Sequence, residues 1–240
     1  MVAILPAAGK GTRMKSVASG SKELLPVAGK PVLAHVLDEA LAAGVDDCMV
    51  VLSPNKPDLK AFVESHGRVS SVVQESADGL APAMLRANRF EPTLLLLPDT
   101  IFWPSSPSGR LVKALSRGYD FAIAVEPISE ERVSSYGIVE WNPDTGRISR
   151  ILEKPKATET SSRWAIAARF AISERTISFI SDLIGGNKSD QEIQLTPLLD
   201  AAIHSGYVGL AVPVEQDERR LDCGDPDEYR KSCEVVDAGL

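Results

Sequence analysis

Leu5-Pro6-Ala7-Ala8-Gly9-Lys10-Gly11-Thr12-Arg13-Met14 closes the first apolar run of the chain, and the rest of the sequence is read outward from it. Residues 2–5 have the pattern of a short buried strand, and a glycine-rich loop follows at once. Gly9 and Gly11 let backbone N–H groups approach an anion closely, which forms a nest for phosphates. Arg13 adds a planar, permanently charged fork that matches phosphate oxygens. Two phosphate motifs are excluded: there is no GxxxxGK[ST], and Met14 stands where a dinucleotide fingerprint needs its third glycine. Taken alone, a turn that happens to contain two glycines is the better reading, because a bare GxG is a weak signal.

Beyond the loop, apolar runs alternate with helical patterns. Residues 31–44 read as a helix: Pro31 fits a first turn, Leu33, Val36, Leu37, Ala40 and Leu41 form an apolar stripe, and Gly44 fits the end. Strands are expected at 48–52, 69–74 and 93–97, with helices at 56–66 and 80–88 between them. Such alternation implies βαβ units, and so a mostly parallel, Rossmann-like sheet with helices on both faces. The second half is richer in strands. Gly137–Trp141 and residues 147–152 flank the turn signal Asn142-Pro143-Asp144 and read as a hairpin. Further strands are expected at Trp164–Ile172, 207–214 and 219–223, with helices at 195–205 and 226–236. No repeat or linker interrupts the pattern, so the expectation is one domain over 1–240.

The 240 residues are enough for one α/β domain with a substantial core. The net charge of −7 argues against a general nucleic-acid binder, which needs a basic face, but not against a local phosphate pocket. No apolar run reaches membrane-spanning length, and no basic stretch followed by an apolar one marks a secretory signal. A cytoplasmic location is therefore expected. Cys48, Cys223 and Cys233 are odd in number and lack paired metal spacing, as reduced thiols would.

The loop together with Ser21-Lys22-Glu23-Leu24-Leu25-Pro26-Val27-Ala28-Gly29-Lys30-Pro31 closely resembles the signature of the sugar-1-phosphate nucleotidyltransferases, G-x-G-T-R followed by K-x-x-x-P and a second proline. The similarity extends along nearly the whole chain. Gln74 with Asp78-Gly79-Leu80-Ala81 resembles the family's base-recognition segment. Leu97-Pro98-Asp99 resembles its metal-binding aspartate, and Tyr136-Gly137 with Glu153-Lys154-Pro155 its sugar-binding hairpin. Glu192-Ile193-Gln194-Leu195-Thr196 is similar to a segment of bacterial UTP–glucose-1-phosphate uridylyltransferases, and Leu221-Asp222-Cys223-Gly224-Asp225-Pro226 to the second metal aspartate and its loop. Ser21 departs from the pattern, where proline is common, and so does Pro82.

The resemblance implies transfer of a nucleotidyl group from UTP or dTTP to a sugar 1-phosphate, glucose 1-phosphate first among them, with Mg²⁺ as cofactor. It assigns Arg13, Lys22 and Lys154 to catalysis, and Ala8, Gly9, Gly11, Thr12, Gln74 and Gly79 to the nucleotide. Gly137, Glu153 and Lys154 are assigned to the sugar phosphate, and Asp99 and Asp222 to the metal. The nucleotide half is then about 1–130 and the strand-rich, sugar-binding half about 131–240. A homo-oligomer is left open. A CTP-dependent cytidylyltransferase of a phosphorylated alcohol shares a related fold and a similar start, but the hairpin and the Gln194-Leu195-Thr196 segment favour a sugar. A non-catalytic sugar-nucleotide-binding regulator is the remaining alternative; it predicts loss of an essential charge, and none is lost. His35, His66 and His204 are scattered and read as structural or surface residues.

Overall fold

A computed structural model describes residues 1–17, 19–87, 90–185 and 192–239. The first half runs β1 (Val2–Ala7), a small ribbon of β2 (Pro26–Val27) and β3 (Lys30–Pro31), α1 (Val32–Ala42), β4 (Asp47–Leu52), α2 (Pro57–Glu64), β5 (Val69–Val73), α3 (Leu80–Ala87), β6 (Thr93–Leu96), β7 (Thr100–Pro104), α4 (Ser108–Ser116) and β8 (Phe121–Pro127). The second half follows with β9 (Gly137–Trp141), β10 (Ile148–Glu153), β11 (Trp164–Ile172), α5 (Glu174–Gly185), α6 (Leu195–His204), β12 (Gly209–Pro213), β13 (Glu218–Asp222) and α7 (Pro226–Asp237).

β1 lies inside a nine-stranded sheet, parallel to β4 on one edge and β6 on the other, and β5 extends the sheet beyond β4. β11 joins β6 and β8 antiparallel, and β12 runs parallel to β8. The β9–β10 hairpin meets the front half of β11 through Ala165 and Ile138. The sheet is thus mixed, with four parallel and four antiparallel pairings. Strand order reverses beside β1, between β4 and β6, the place where open α/β sheets bind ligands at the carboxyl ends of their strands.

The apolar alternation of β1 sorts the core into two layers. Ala3, Leu5 and Ala7 pack with α1, α2, α4 and α7; Val2 and Ile4 pack with α3, α5 and α6. Helices therefore cover both faces, which is why β1 reads as continuously apolar. Truncating a residue such as Leu5 to alanine would cost about 2–5 kcal/mol at a site this enclosed.

Several boundaries move. Pro31 is extended (φ −53°, ψ 140°) and pairs with Pro26, so α1 begins at Val32, while Gly44 (φ +87°) ends that segment as expected. The helix expected at 80–88 is α3, and its residue 88 lies outside the described residues. The strand expected from 207 starts at 209, because the Tyr207 N–H still donates to Ala202 O at 3.0 Å. Asp225 caps α7, accepting from Asp227 N at 3.0 Å and Glu228 N at 3.5 Å, with Pro226 opening the helix. Each histidine ring bonds a nearby main-chain carbonyl: His35 that of Val27, His66 that of Phe62, and His204 that of Asp200. His35 and His66 are tied into the fold in this way, while His204, with 67% of its side chain exposed, lies on the surface. The alternation expected from the sequence does not include the β2–β3 ribbon, β7, α4, β8 or α5.

Candidate active site

The loop after β1 turns at Gly11, whose left-handed backbone (φ +58°, ψ 28°) opens a single 3-10 turn at Thr12–Ser16. A residue with a Cβ would be strained in that conformation. Gly9, Lys10, Gly11, Thr12 and Arg13 line a cavity of about 280 Å³, with Lys22, Ala77, Glu192 and Gly224 completing its wall. Lys10, Gly11 and Lys22 also border a second cavity of about 480 Å³ toward the start of α2.

Lys22 is held with care. It opens the 3-10 turn Lys22–Leu24, which is pinned from both sides. Ser21 gives both its N–H and its hydroxyl to the Asp58 carboxylate, at 2.7 and 2.8 Å. Burial pushes the Asp58 carboxyl up, but these two bonds, with the Leu59 and Asp58 N–H groups, outweigh it and hold Asp58 below the usual aspartate range. A proline at position 21 could make neither bond. On the other side Glu23, only 1% exposed, receives Lys56 Nζ at 2.8 and 3.0 Å, and the same ammonium reaches Ala7 O at 2.7 Å. Lys22 itself donates to the Asp99 carboxylate. Burial pulls its pKa down, but Asp99, Glu23 and Asp222 outweigh burial, and the group is held above its ordinary value.

The two aspartates meet because β13 pairs antiparallel with β7, in a register that sets Asp222 opposite Thr100. Cys223 N donates to Asp99 O at 2.7 Å, and Gly224 N to Asp222 Oδ1 at 2.8 Å. A Cβ on Gly224 would stand 2.9 Å from Asp99 Oδ2 and 3.2 Å from Asp222 Oδ1. Glycine is therefore the residue that lets both carboxylates close in on one point. The sequence offered Gly224 only as part of a loop; two carboxylates crowding its Cα mark it as part of the site.

Gln74 follows β5 and is buried; its Nε2 donates to the Asp78 carboxylate and, at 3.4 Å, to Gly79 O. Gly79 (φ +117°) cannot carry a side chain, because a Cβ would lie 2.3 Å from Ile193 O. That close approach ties the base segment to the residues before α6, with Ile193 N donating to Asp78 O at 2.8 Å.

The expected sugar residues form a second group. Gly137 and Glu153 face each other across the hairpin, and Glu153 Oε2 would lie 3.5 Å from a Cβ on Gly137. Lys154 has a left-handed backbone (φ +45°), donates its N–H to Tyr136 O at 3.1 Å, and leaves its side chain 61% exposed. A lysine in that conformation is strained, and such strain concentrates at functional positions. The two groups are linked by Arg220. Its Nη1 lies 3.6 Å from Asp222 Oδ2, its Nε 2.5 Å from Glu126 Oε1, and its guanidinium 5.6 Å over the Tyr136 ring beside Gly137. Burial lowers its pKa, but Glu126 outweighs burial with help from Tyr136 and Asp222, and the group stays charged. An arginine on a short strand carries no local signal of such a role.

The profile of the Nucleotidyl transferase family matches residues 2–236. The chain belongs to that family. Among curated relatives of this nucleotidyl transferase, the UTP–glucose-1-phosphate uridylyltransferase of Haemophilus ducreyi is 28% identical, over 94% of this chain and 89% of the relative. A protein of that name from Bacillus subtilis strain 168 is 27% identical, over 93% and 86%. A solved UDP-glucose pyrophosphorylase complexed with UDP-glucose superposes with a TM-score of 0.84 at 23% identity, over 100% of this chain and 99% of that one. The Acinetobacter baumannii UDP-glucose pyrophosphorylase superposes at 0.82 with 24% identity, over 97% and 92%. At these identities the structural likeness speaks for the shared mixed α/β fold. The described residues contain no helix long and apolar enough to cross a membrane, and the three cysteines are free thiols.

Proposed function

We propose that this nucleotidyl transferase joins UTP or dTTP to glucose 1-phosphate, giving a nucleotide sugar and pyrophosphate in the cytoplasm. The observation that carries the reading is the convergence of the Gly9–Gly11 loop, Arg13 and Lys22 on one cavity, with Asp99 and Asp222 meeting beside it at Gly224. A phosphate oxygen of the sugar 1-phosphate attacks the α-phosphorus as the bond from that phosphorus to the β-phosphate oxygen breaks and pyrophosphate leaves. Two anions must meet, so neutralisation and in-line positioning supply the rate. Backbone N–H groups at Ala8, Gly9, Gly11 and Thr12 cradle the triphosphate. Arg13 and Lys22 offset the charge that develops on the departing pyrophosphate. Lys154 holds the sugar phosphate, while Glu153 and the side-chain-free backbone of Gly137 receive the sugar ring.

Asp99 and Asp222 fit a hard divalent cation. They are two carboxylates brought to one point, and no cluster of three His, Cys, Asp or Glu ligands occurs among the described residues. Mg²⁺ is bound in this manner, by one or two carboxylates with substrate phosphates and water. When bound it would supply Lewis-acid neutralisation of the phosphates.

Base choice follows from Gln74. Only its Nε2 can face the Asp78 carboxylate, because the reversed amide would set oxygen against oxygen. Oε1 is thereby left as an acceptor, the complement of the imide N–H of uracil or thymine rather than the bare ring nitrogen of cytosine. This observation favours UTP and dTTP over the CTP-dependent alternative. Pyrophosphate release across a panel of triphosphates and sugar or alcohol phosphates tests the whole reading. Turnover with UTP or dTTP and glucose 1-phosphate is expected; turnover restricted to CTP with an alcohol phosphate, or none with any pair, defeats it.

A further inference from the structure

Arg169 is wholly buried, and the chemistry above makes no use of it. It lies in β11, where the register against β8 shifts between Ile166 and Phe170 and Ala168 adopts a left-handed backbone (φ +59°). Such bulges re-aim a side chain. All five N–H donors of the guanidinium are engaged. Nε and Nη2 fork onto Glu39, at 2.8 and 2.6 Å. Nη1 reaches Ala168 O at 3.0 Å and Leu97 O at 3.3 Å, and Nη2 also reaches Thr100 O at 2.7 Å. Glu39 is steadied in turn by the Ser108 hydroxyl at 2.5 Å, and the guanidinium lies 5.0 Å over the Phe102 ring.

Leu97 and Thr100 are the two ends of the turn that carries Asp99, and one cation grips the carbonyl of each. Leu97 O also accepts from the Thr100 N–H at 3.3 Å, so the guanidinium ties a turn that is already closed by its own backbone bond. A planar five-donor fork satisfies both carbonyls and a carboxylate at once, which a compact ammonium cannot do.

We propose that Arg169, oriented by Glu39, is a positioning residue for Asp99. It touches no substrate and fixes the turn so that the Asp99 carboxylate stands ready beside Asp222. The proposal rests on the metal-binding reading of Asp99 given above.

The test compares the parent protein with R169K and with the charge-free pair R169M/E39M, since folds often tolerate apolar replacement of both partners of a buried ion pair. Mn²⁺ binding is followed by electron paramagnetic resonance on protein saturated with α,β-methylene-UTP, and binding of that nucleotide in EDTA by calorimetry. Both variants are expected to fold, to bind the nucleotide in EDTA as the parent does, and to show an Mn²⁺ dissociation constant raised about tenfold or more, the scale seen when the support of a ligating group is removed. The Mg²⁺ concentration for half-maximal rate should rise in step, while kcat at saturating Mg²⁺ recovers. A smaller change in Mn²⁺ affinity, equal weakening of metal and nucleotide, or failure of both variants to fold makes Arg169 merely structural and overturns the proposal. A parent protein that binds no Mn²⁺ defeats the metal reading itself, before the variants are compared.

Discussion

The two lysines assigned to the reaction live in opposite surroundings. Lys22, with 14% of its side chain exposed, sits on a turn pinned by Asp58 on one side and the Lys56–Glu23 pair on the other, and it is already bonded to Asp99. Lys154 is 61% exposed, on a strained residue at the end of a hairpin, with Glu153 3.8 Å away. The nucleotide side is preorganised, so little reorganisation is left for the moment of reaction. The sugar side keeps a hydrated cation at low electrostatic cost. In the proposed reaction, the first region stabilises the transition state and the other recruits the second substrate.

The largest expected effect is at Asp99. Asp99→Asn should lower turnover about 10³-fold, with circular dichroism unchanged, because it removes a charge from the point where the carboxylates meet. Near-normal turnover would take Asp99 out of the site. Lys22→Met should lower kcat/KM about 10²-fold, with much of the loss in kcat. Lys154→Gly should instead raise KM for glucose 1-phosphate about tenfold and leave nucleotide affinity alone, the scale of one charge-assisted bond. It should also stabilise the fold by about 1 kcal/mol, by relieving the left-handed backbone. Equal effects of the two lysine variants on kcat and KM would erase the contrast.

Asp78→Asn is a finer probe. An asparagine there can offer its own amide N–H, which lets the Gln74 amide reverse and present Nε2 to a cytosine ring nitrogen. The preference for UTP over CTP should fall about tenfold; an unchanged ratio would remove Asp78 from base choice. The smallest effect is on stability at alkaline pH. Lys22 has a folded pKa raised above its unfolded value. Its contribution is therefore fully present below about pH 10.4 and lost as pH climbs through the folded value. The difference in thermal stability between parent and Lys22→Met should stay constant from neutral pH to about 10 and shrink above it. A difference that shrinks below pH 9 would contradict the pairing.

The legible parts of the sequence were those where local chemistry and tertiary role agree. β1, α1 and β11 carried clear periodicity, Asp225-Pro226 announced a capped helix, and the loop around Gly9 and Gly11 named its own conformational need. Residues 100–127 gave no such signal. β7 is a strand because β13 lies against it, and the apolar run of β8 could equally have been a buried helix until its neighbours β11 and β12 were in place. Arg220 and Arg169 were invisible for a related reason. An arginine is by default a surface residue, and only its partners from distant segments reveal a buried one.

By itself, then, the sequence determined the alternation of strands and helices, the glycine-rich loop and the list of charged candidates, because each depends on residues a few positions apart. Tertiary structure alone decided that Asp99 and Asp222 meet at Gly224, that Ser21 bonds Asp58, and that a buried arginine grips the turn that carries Asp99. Those facts depend on strand pairing and bulge geometry between segments far apart in the chain, where contact energies and not local propensities choose the neighbours.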